Sequence, residues 1–205
     1  MFRKTGGSAS RFCVYHRAMI YQAKLSAPFG MLGIRCDEQA LLGIDFLNAG
    51  EISQNPDSAF AENVCRQLLN YFENPDAPFS IPLKLTGKPG TLATLSLSST
   101  LSRKRERGQM NRCANFTTPA TPHQKKVWQA MLAIPAGQTR TYGEIAVELH
   151  SCAQAVGQAC GANPIPIVIP CHRVVSKSGL GGFMKHGSGA PLDIKRWLLA
   201  HERTA

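Results

Sequence analysis

The chain lacks any apolar run near the ~20 residues that a membrane-spanning helix needs, and its apolar content of 43% is ordinary for a globular domain. It has no Cys-x-x-Cys pair, and its seven cysteines are an odd number. Both facts argue against a complete disulfide framework and for a reducing compartment. Acidic residues are scarce beyond residue 87. Residues 1–87 carry eight basic and eight acidic side chains, residues 88–120 six and one, and residues 121–205 nine and four. The net charge of +10 therefore lies wholly beyond residue 87. Such asymmetry suits a polyanion such as nucleic acid, although a solvated basic surface carries the same signature. Residues 1–18 hold four basic residues, no acid and no apolar core of signal-peptide length. We read them as a flexible extension, with Met19 opening the folded protein and a candidate start of translation.

What is present fits one large domain or two small ones in 205 residues. Residues 20–24, 30–36 and 40–46 read as strands, separated by turn signals at Ala27-Pro28 and Asp37-Glu38-Gln39. A helix is expected over 58–72, because Phe60, Val64 and Leu68 recur every four residues, and Asn74-Pro75 ends it. Residues 79–85 read as a further strand. The acids of this half are scattered and form no catalytic constellation. Asp45 is the only one with more than a surface role in prospect. Residues 88–120 change character: Ser, Thr and Gly dominate, followed by the basic run Ser102-Arg103-Lys104-Arg105-Glu106-Arg107. No periodic apolar face is visible, so we expect a disordered linker or inserted loop. The basic run can touch phosphates, or simply keep the loop soluble.

Beyond it, Thr121-Pro122-His123-Gln124 is a capping-box start with Pro at the first helical position. Val127, Trp128, Met131 and Leu132 give that helix an apolar face, and Pro135-Ala136-Gly137 stops it. Thr141-Tyr142-Gly143-Glu144 and Ser151-Cys152-Ala153-Gln154 then read as two further caps. The short loop between the two helices gives helix-turn-helix spacing. The second helix, over 152–160, is rich in Ala and Gly. Small side chains serve either close approach to a partner surface or tight packing inside the protein. Near the end, Ile194, Trp197, Leu198 and His201 share a helical face. Glu202 falls at that helix's C-terminus, where the dipole disfavours an acid unless it has a specific partner.

The stretch from Asn163 to Val175 is the most unusual. It sets apolar residues between three prolines and ends on Cys171-His172-Arg173. Proline lacks an N–H and fixes φ, so regular pairing is not expected there. Ile167 to Ile169 should run buried, and Pro170 should set Cys171 at a defined angle. A thiol becomes a strong nucleophile when a base removes its proton. His172 is a candidate base, directly or through a water. Neighbours in an extended segment point to opposite faces, so direct contact requires a bend. A bare Cys-His pair is equally consistent with an inert buried thiol beside a core histidine.

The strings NPIPIVIPCHRVV, VWQAMLAIPAGQTRTYGEIA and IKRWLLAHE, in this order, resemble the O6-alkylguanine-DNA alkyltransferases, also called methylated-DNA–protein-cysteine methyltransferases. The resemblance covers residues 121–202, with a weaker likeness over 19–87. It implies an α+β fold: a small ribonuclease-H-like sheet domain (19–87), then a helical alkyltransferase domain (121–205) with a winged-helix-like helix-turn-helix. It implies single-turnover transfer of an alkyl group from O6 of guanine, and possible activity on O4 of thymine, to Cys171 after the nucleotide is flipped out of the duplex. By the same resemblance His172, Glu202 and Asn163 complete the catalytic set. Tyr142, Ala153, Gln154, Gly157 and Arg173 face DNA. Cys160, Pro166, Val174, Ser176 and Phe183 line the base pocket, with the Tyr142 hydroxyl and backbone groups near Val174 and Ser176 serving the leaving base. His123 stands where the family more often has phenylalanine and is read as structural.

Two departures stand out. Gln154 occupies a position where the family usually has an arginine that fills the gap left by the flipped base. About 33 residues intervene where relatives pass almost directly between domains. No catalytic metal or cofactor is implied, and a structural zinc is left open. The implied partner is double-stranded DNA containing O6-alkylguanine, with no membrane, a monomeric protein, and a cytoplasmic or, in a eukaryote, nuclear location. The competing readings are an alkylated-DNA-binding relative without transfer, and a helix-turn-helix regulator whose Cys-His pair is structural.

Overall fold

The computed structural model describes residues 20–48, 50–85 and 120–203. The flexible extension expected over 1–18 and nearly all of the basic insertion expected over 88–120 lie outside the described residues. The first unit is an antiparallel meander of β1 (Ala23–Ala27), β2 (Gly30–Cys36) and β3 (Leu41–Leu47), covered by helix α1 (Ala59–Glu73). β1 starts later than expected and runs through Ala27. The reversal is carried by Pro28-Phe29 and by Gly30, whose φ of +135° is open to glycine. Along β2, Leu32, Ile34 and Cys36 are buried, as a half-covered strand requires. Arg35, in the alternate register, lies across Gly43 and pairs with Asp45 at 2.8 Å. Asp45 thus has a structural role as the partner of that arginine.

Ser58 caps α1 through its Oγ, which accepts from the Ala61 N–H, and Asn74 ends it. Ala61, Val64, Cys65, Leu68 and Tyr71 form the buried stripe. The strand expected over 79–85 reduces to a single bridge between Leu41 and Leu83. Pro78 and Pro82 remove two of the N–H groups that a longer ladder would need.

The second unit is helical. α2 (Pro122–Leu132) and α3 (Tyr142–Glu148) each start with the expected capping box, on Thr121/Gln124 and Thr141/Glu144. The third cap differs. α4 (Ala153–Gly161) starts after Cys152, which makes no side-chain capping bond. Ser151 lies one residue too early, and its N–H donates to the Ala146 carbonyl at 2.8 Å, closing the end of α3. The Trp128 indole N–H donates to the Ala159 carbonyl at 2.9 Å and locks α2 to α4. A two-residue parallel pair joins β4 (Arg140–Thr141) to β5 (Val174–Val175). Helix α5 (Ala190–Arg203) follows, with Pro191 in its first turn.

The units dock through an aromatic cluster. The Phe29 ring meets Phe46, Phe72 and Trp197 with centroids 5.1–5.8 Å apart. The Ile44 N–H of β3 donates to the Pro164 carbonyl at 3.0 Å. None of the described helices is long and apolar enough to cross a membrane. Leu68, fully buried between α1 and the sheet, gives a stability test. Leu68→Ala is expected to cost about 2–5 kcal/mol, read as a lower urea midpoint with an unchanged slope.

Candidate active site and nucleic-acid interface

The loop leaving α4 is built around Asn163, which is fully buried. Its Nδ2 donates to the Ile169 carbonyl at 2.8 Å, and its Oδ1 accepts from the Ile165 N–H at 3.0 Å. The Ile169 N–H closes the loop onto the Ile165 carbonyl at 2.9 Å. Ile167 at the apex has φ +75°, costly for a β-branched residue and tolerated only under strong constraint. Ile165, Ile167, Val168 and Ile169 are all buried and supply that constraint. The Cys171 N–H donates to the Ile169 carbonyl at 2.8 Å, and residues Cys171–Arg173 form a 3₁₀ turn. The chain therefore bends at the cysteine instead of running on extended.

Within that turn His172 is fully buried. Its Nε2 is 2.8 Å from Glu202 Oε1. The Glu202 carboxylate is also gripped by Arg173, whose Nε donates to Oε2 at 2.9 Å and Nη2 to Oε1 at 2.8 Å. Arg173 Nη1 donates to the Ile134 carbonyl. A third donor comes from the other unit: the Tyr71 hydroxyl reaches Glu202 Oε1 at 2.7 Å. Burial alone would raise Glu202, but the hydrogen bonds from His172, Arg173 and Tyr71 outweigh it and hold the carboxyl at about 2. Burial lowers His172 from its ordinary value, against the pull of Glu202. The imidazole is therefore neutral, with its proton on Nε2 facing an ionised carboxylate. Nδ1 then carries the lone pair, and it has no hydrogen-bond partner among the described residues. A buried, unprotonated nitrogen next in the chain to a thiol is what a proton acceptor requires.

Cys171 is 4% exposed, and lines a pocket of about 400 Å³. That size lies within the ~300–1,000 Å³ range of small-molecule sites. Ala153, Gly157 and Cys160 of α4 form one wall, and Tyr142 of α3 contributes its ring. Residues 182–187 form the opposite rim. There Phe183 and His186 exchange two backbone hydrogen bonds around Met184 and Lys185, both with positive φ. This turn is unusual for two residues that are not glycine. The Phe183 ring also packs on Phe46 of β3 at 5.8 Å. Beneath the pocket Lys195, fully buried, donates to the Val174 carbonyl at 2.6 Å and the Gly182 carbonyl at 3.0 Å. Burial brings its ammonium down to about 8, against the two thiols. Burial and the thiols of Cys160 and Cys171 push the Tyr142 phenol up to about 12, so it stays a donor.

Of the residues expected from the sequence, His172 and Glu202 are paired directly, Cys171 precedes His172 in the same 3₁₀ turn, and Asn163 holds the loop that leads to that turn. Tyr142, Ala153, Gly157, Cys160 and Phe183 line the pocket with the thiol. Gln154 is exposed on α4, open to a partner. The guanidinium of Arg173 is engaged through all three nitrogens by Glu202 and Ile134. Val174, Ser176 and Pro166 are not among the pocket-lining residues. The Val174 carbonyl is held by Lys195, the Ser176 N–H donates to the Gly179 carbonyl at 2.9 Å, and Pro166 bridges back to Ile169.

Tyr71 and Lys195 were missed. Lys195 was legible in principle, since it precedes Glu202 by two helical turns and so shares its face. Tyr71 was not, because nothing in its local sequence points across to α5.

Residues 122–204 match the model of the 6-O-methylguanine DNA methyltransferase DNA-binding domain, and residues 20–85 that of the family's ribonuclease-like domain. The methylated-DNA–protein-cysteine methyltransferase of Salmonella typhimurium is 35% identical over 194 residues, spanning 89% of this chain and 95% of the relative. The chain belongs to the O6-methylguanine DNA methyltransferase family. The probable methylated-DNA–protein-cysteine methyltransferase of Acanthamoeba polyphaga mimivirus is 49% identical over 85 residues, 40% of this chain and 54% of that one. The chain thus spans about half of the mimivirus relative's length but nearly all of the Salmonella one. Crystal structures of the Mycobacterium tuberculosis O6-methylguanine methyltransferase, alone and in complex with DNA, superpose with TM-scores of 0.62 and 0.61 at 28% identity. Each alignment covers 88% of this chain and 91% of the other. The family's two-part architecture, a ribonuclease-like sheet unit and a helical DNA-binding unit, is the one described above.

For this methyltransferase-family chain, Glu202 links the site to stability. Its folded value of about 2 lies below the ordinary 4.5. The stabilisation it gives is therefore complete above pH 4.5 and lost as pH falls towards 2. Glu202→Gln, which leaves Arg173 half-buried without its anion, is expected to cost about 3–5 kcal/mol at pH 7. The gap to the unmodified protein should close between pH 4.5 and 2 in denaturant titrations.

Proposed function

We propose that this protein repairs DNA by direct reversal, moving the methyl group of O6-methylguanine onto its own Cys171. The observation that carries the reading is the acceptor unit beside the thiol: a neutral His172 with Nδ1 open and Nε2 held by an ionised Glu202. The thiol proton passes to Nδ1, directly or through a water. The Cys171 sulfur then attacks the methyl carbon in line. The S–C bond forms, the C–O6 bond breaks, and its electron pair stays with the guanine, which recovers a proton from the imidazolium. The thioether is stable, so each molecule acts once.

The O6 edge is stacked inside a duplex, so the nucleotide has to leave the helix and enter the pocket. α3 and α4 have helix-turn-helix form, and the Ala153/Gly157 side of α4 borders the pocket, so that face docks on double-stranded DNA. Tyr142 stands at the pocket wall, where it serves both to crowd the backbone and to donate to the base. Asn163 holds the loop that aims the sulfur. We take the protein to work as a monomer in the compartment that holds DNA, with residues 19–87 and 121–205 as its two domains.

Intact mass spectrometry after incubation with duplex DNA containing O6-methylguanine should show a gain of about 14 Da, one CH₂ net, on the peptide bearing Cys171. Cys171→Ala should abolish the gain and keep DNA affinity. DNA binding with no adduct on the unmodified protein would establish the binding-only alternative.

Gln154 is shorter than the arginine usual at its position and has no charge. Gln154→Arg is expected to speed transfer on duplex DNA and to steepen the salt dependence of binding by roughly one unit of log–log slope. The check is a single-turnover rate series at several salt concentrations.

A further inference from the structure

We propose that Tyr71, on α1 of the ribonuclease-like unit, is a positioning residue for the transfer step, its hydroxyl fixing Glu202 and thereby tuning His172. The proposal rests on the transfer reading given above. Three donors converge on Glu202 Oε1: Tyr71 Oη at 2.7 Å, His172 Nε2 at 2.8 Å and Arg173 Nη2 at 2.8 Å. Arg173 adds charge and is anchored to Ile134 as well as to Glu202. Tyr71 is the one donor that comes from outside the helical unit. A hydrogen bond to a carboxylate oxygen draws electron density from it. Because that oxygen also faces the imidazole, the phenol sets how strongly Glu202 favours a proton on His172.

The tyrosine is held for this task. It is 1% exposed. Its ring meets Phe72, Phe79 and His201 with centroids 5.4–5.7 Å apart. Its carbonyl pairs with His201 Nε2 of α5 at 2.8 Å. α1 is therefore clamped to α5 at His201 and Glu202. Burial, reinforced by Glu202, pushes the phenol well above its ordinary value, so it remains a donor at any physiological pH. The other charged groups acting on His172 are Arg173 in its own turn and Lys195 on α5, which both oppose its protonation, and Glu202, which favours it. Removing the Tyr71 hydroxyl leaves all of these in place.

The test is the pH profile of the single-turnover methyl-transfer rate on duplex DNA containing O6-methylguanine, in Tyr71→Phe and in protein carrying 3-fluorotyrosine at position 71. Without the donor, Glu202 holds the imidazole proton more tightly. The acid limb of Tyr71→Phe should then move up by on the order of half a pH unit, about a threefold slower rate on that limb. The fluorinated phenol is a stronger donor and should move the limb down, with DNA affinity and melting temperature unchanged. A merely structural tyrosine would lower the melting temperature of Tyr71→Phe and leave both limbs in place, and that result overturns the proposal. If Tyr71→Phe does not fold, the fluorotyrosine protein decides alone. Failure of the unmodified protein to accept the methyl group would instead sink the transfer reading itself.

Discussion

A single buried carboxylate, Glu202, organises this molecule. An ionised group removed from water is tolerable only when donors replace its hydration. Here those donors come from three places: the turn that carries the cysteine, the guanidinium that follows it, and a tyrosine on a helix of the other unit. Each donor is fixed by what lies behind it. Arg173 is tied to the end of α2, and Tyr71 is packed among aromatic rings. The charge that sets the histidine tautomer also joins α1, the 3₁₀ turn and α5.

This explains why an acid sits near the C-terminus of α5, against the helix dipole. The unfavourable field there is small beside hydrogen bonds to a carboxylate in a water-poor setting. The strained backbone at Ile167 belongs to the same design. The loop reaches the cysteine by a route that an isoleucine resists, and the Asn163 amide and the buried isoleucines hold it there. Polar and apolar forces act on the same few residues to aim one sulfur.

Much of this was legible in the sequence where local rules act alone. Thr121 and Thr141 announce helix starts that the structure keeps, because a capping hydrogen bond is decided within four residues. The Pro-Cys-His-Arg string and its helical context carried the family. Readings failed where distant contacts took over. Residues 79–85 look like a strand, but Pro82 within them and Pro78 just before leave one bridge to Leu41. Ser151 lost its cap to a backbone bond that finishes α3. Arg173 has the charge of a phosphate contact, and its guanidinium grips Glu202, 29 residues on. Tyr71 has no local signature, since its partner is set by how the helices pack.

The short β4–β5 pair links the two helices to the turn after Pro170. Thr141 caps α3 through its side chain while its backbone pairs beside Val175, two residues past Arg173. The helix pair and the turn that carries Cys171 therefore share a joint of only two paired residues on each side. A tilt of the helices against a bound partner pulls on the segment that carries the sulfur, so gripping and reacting are mechanically geared together.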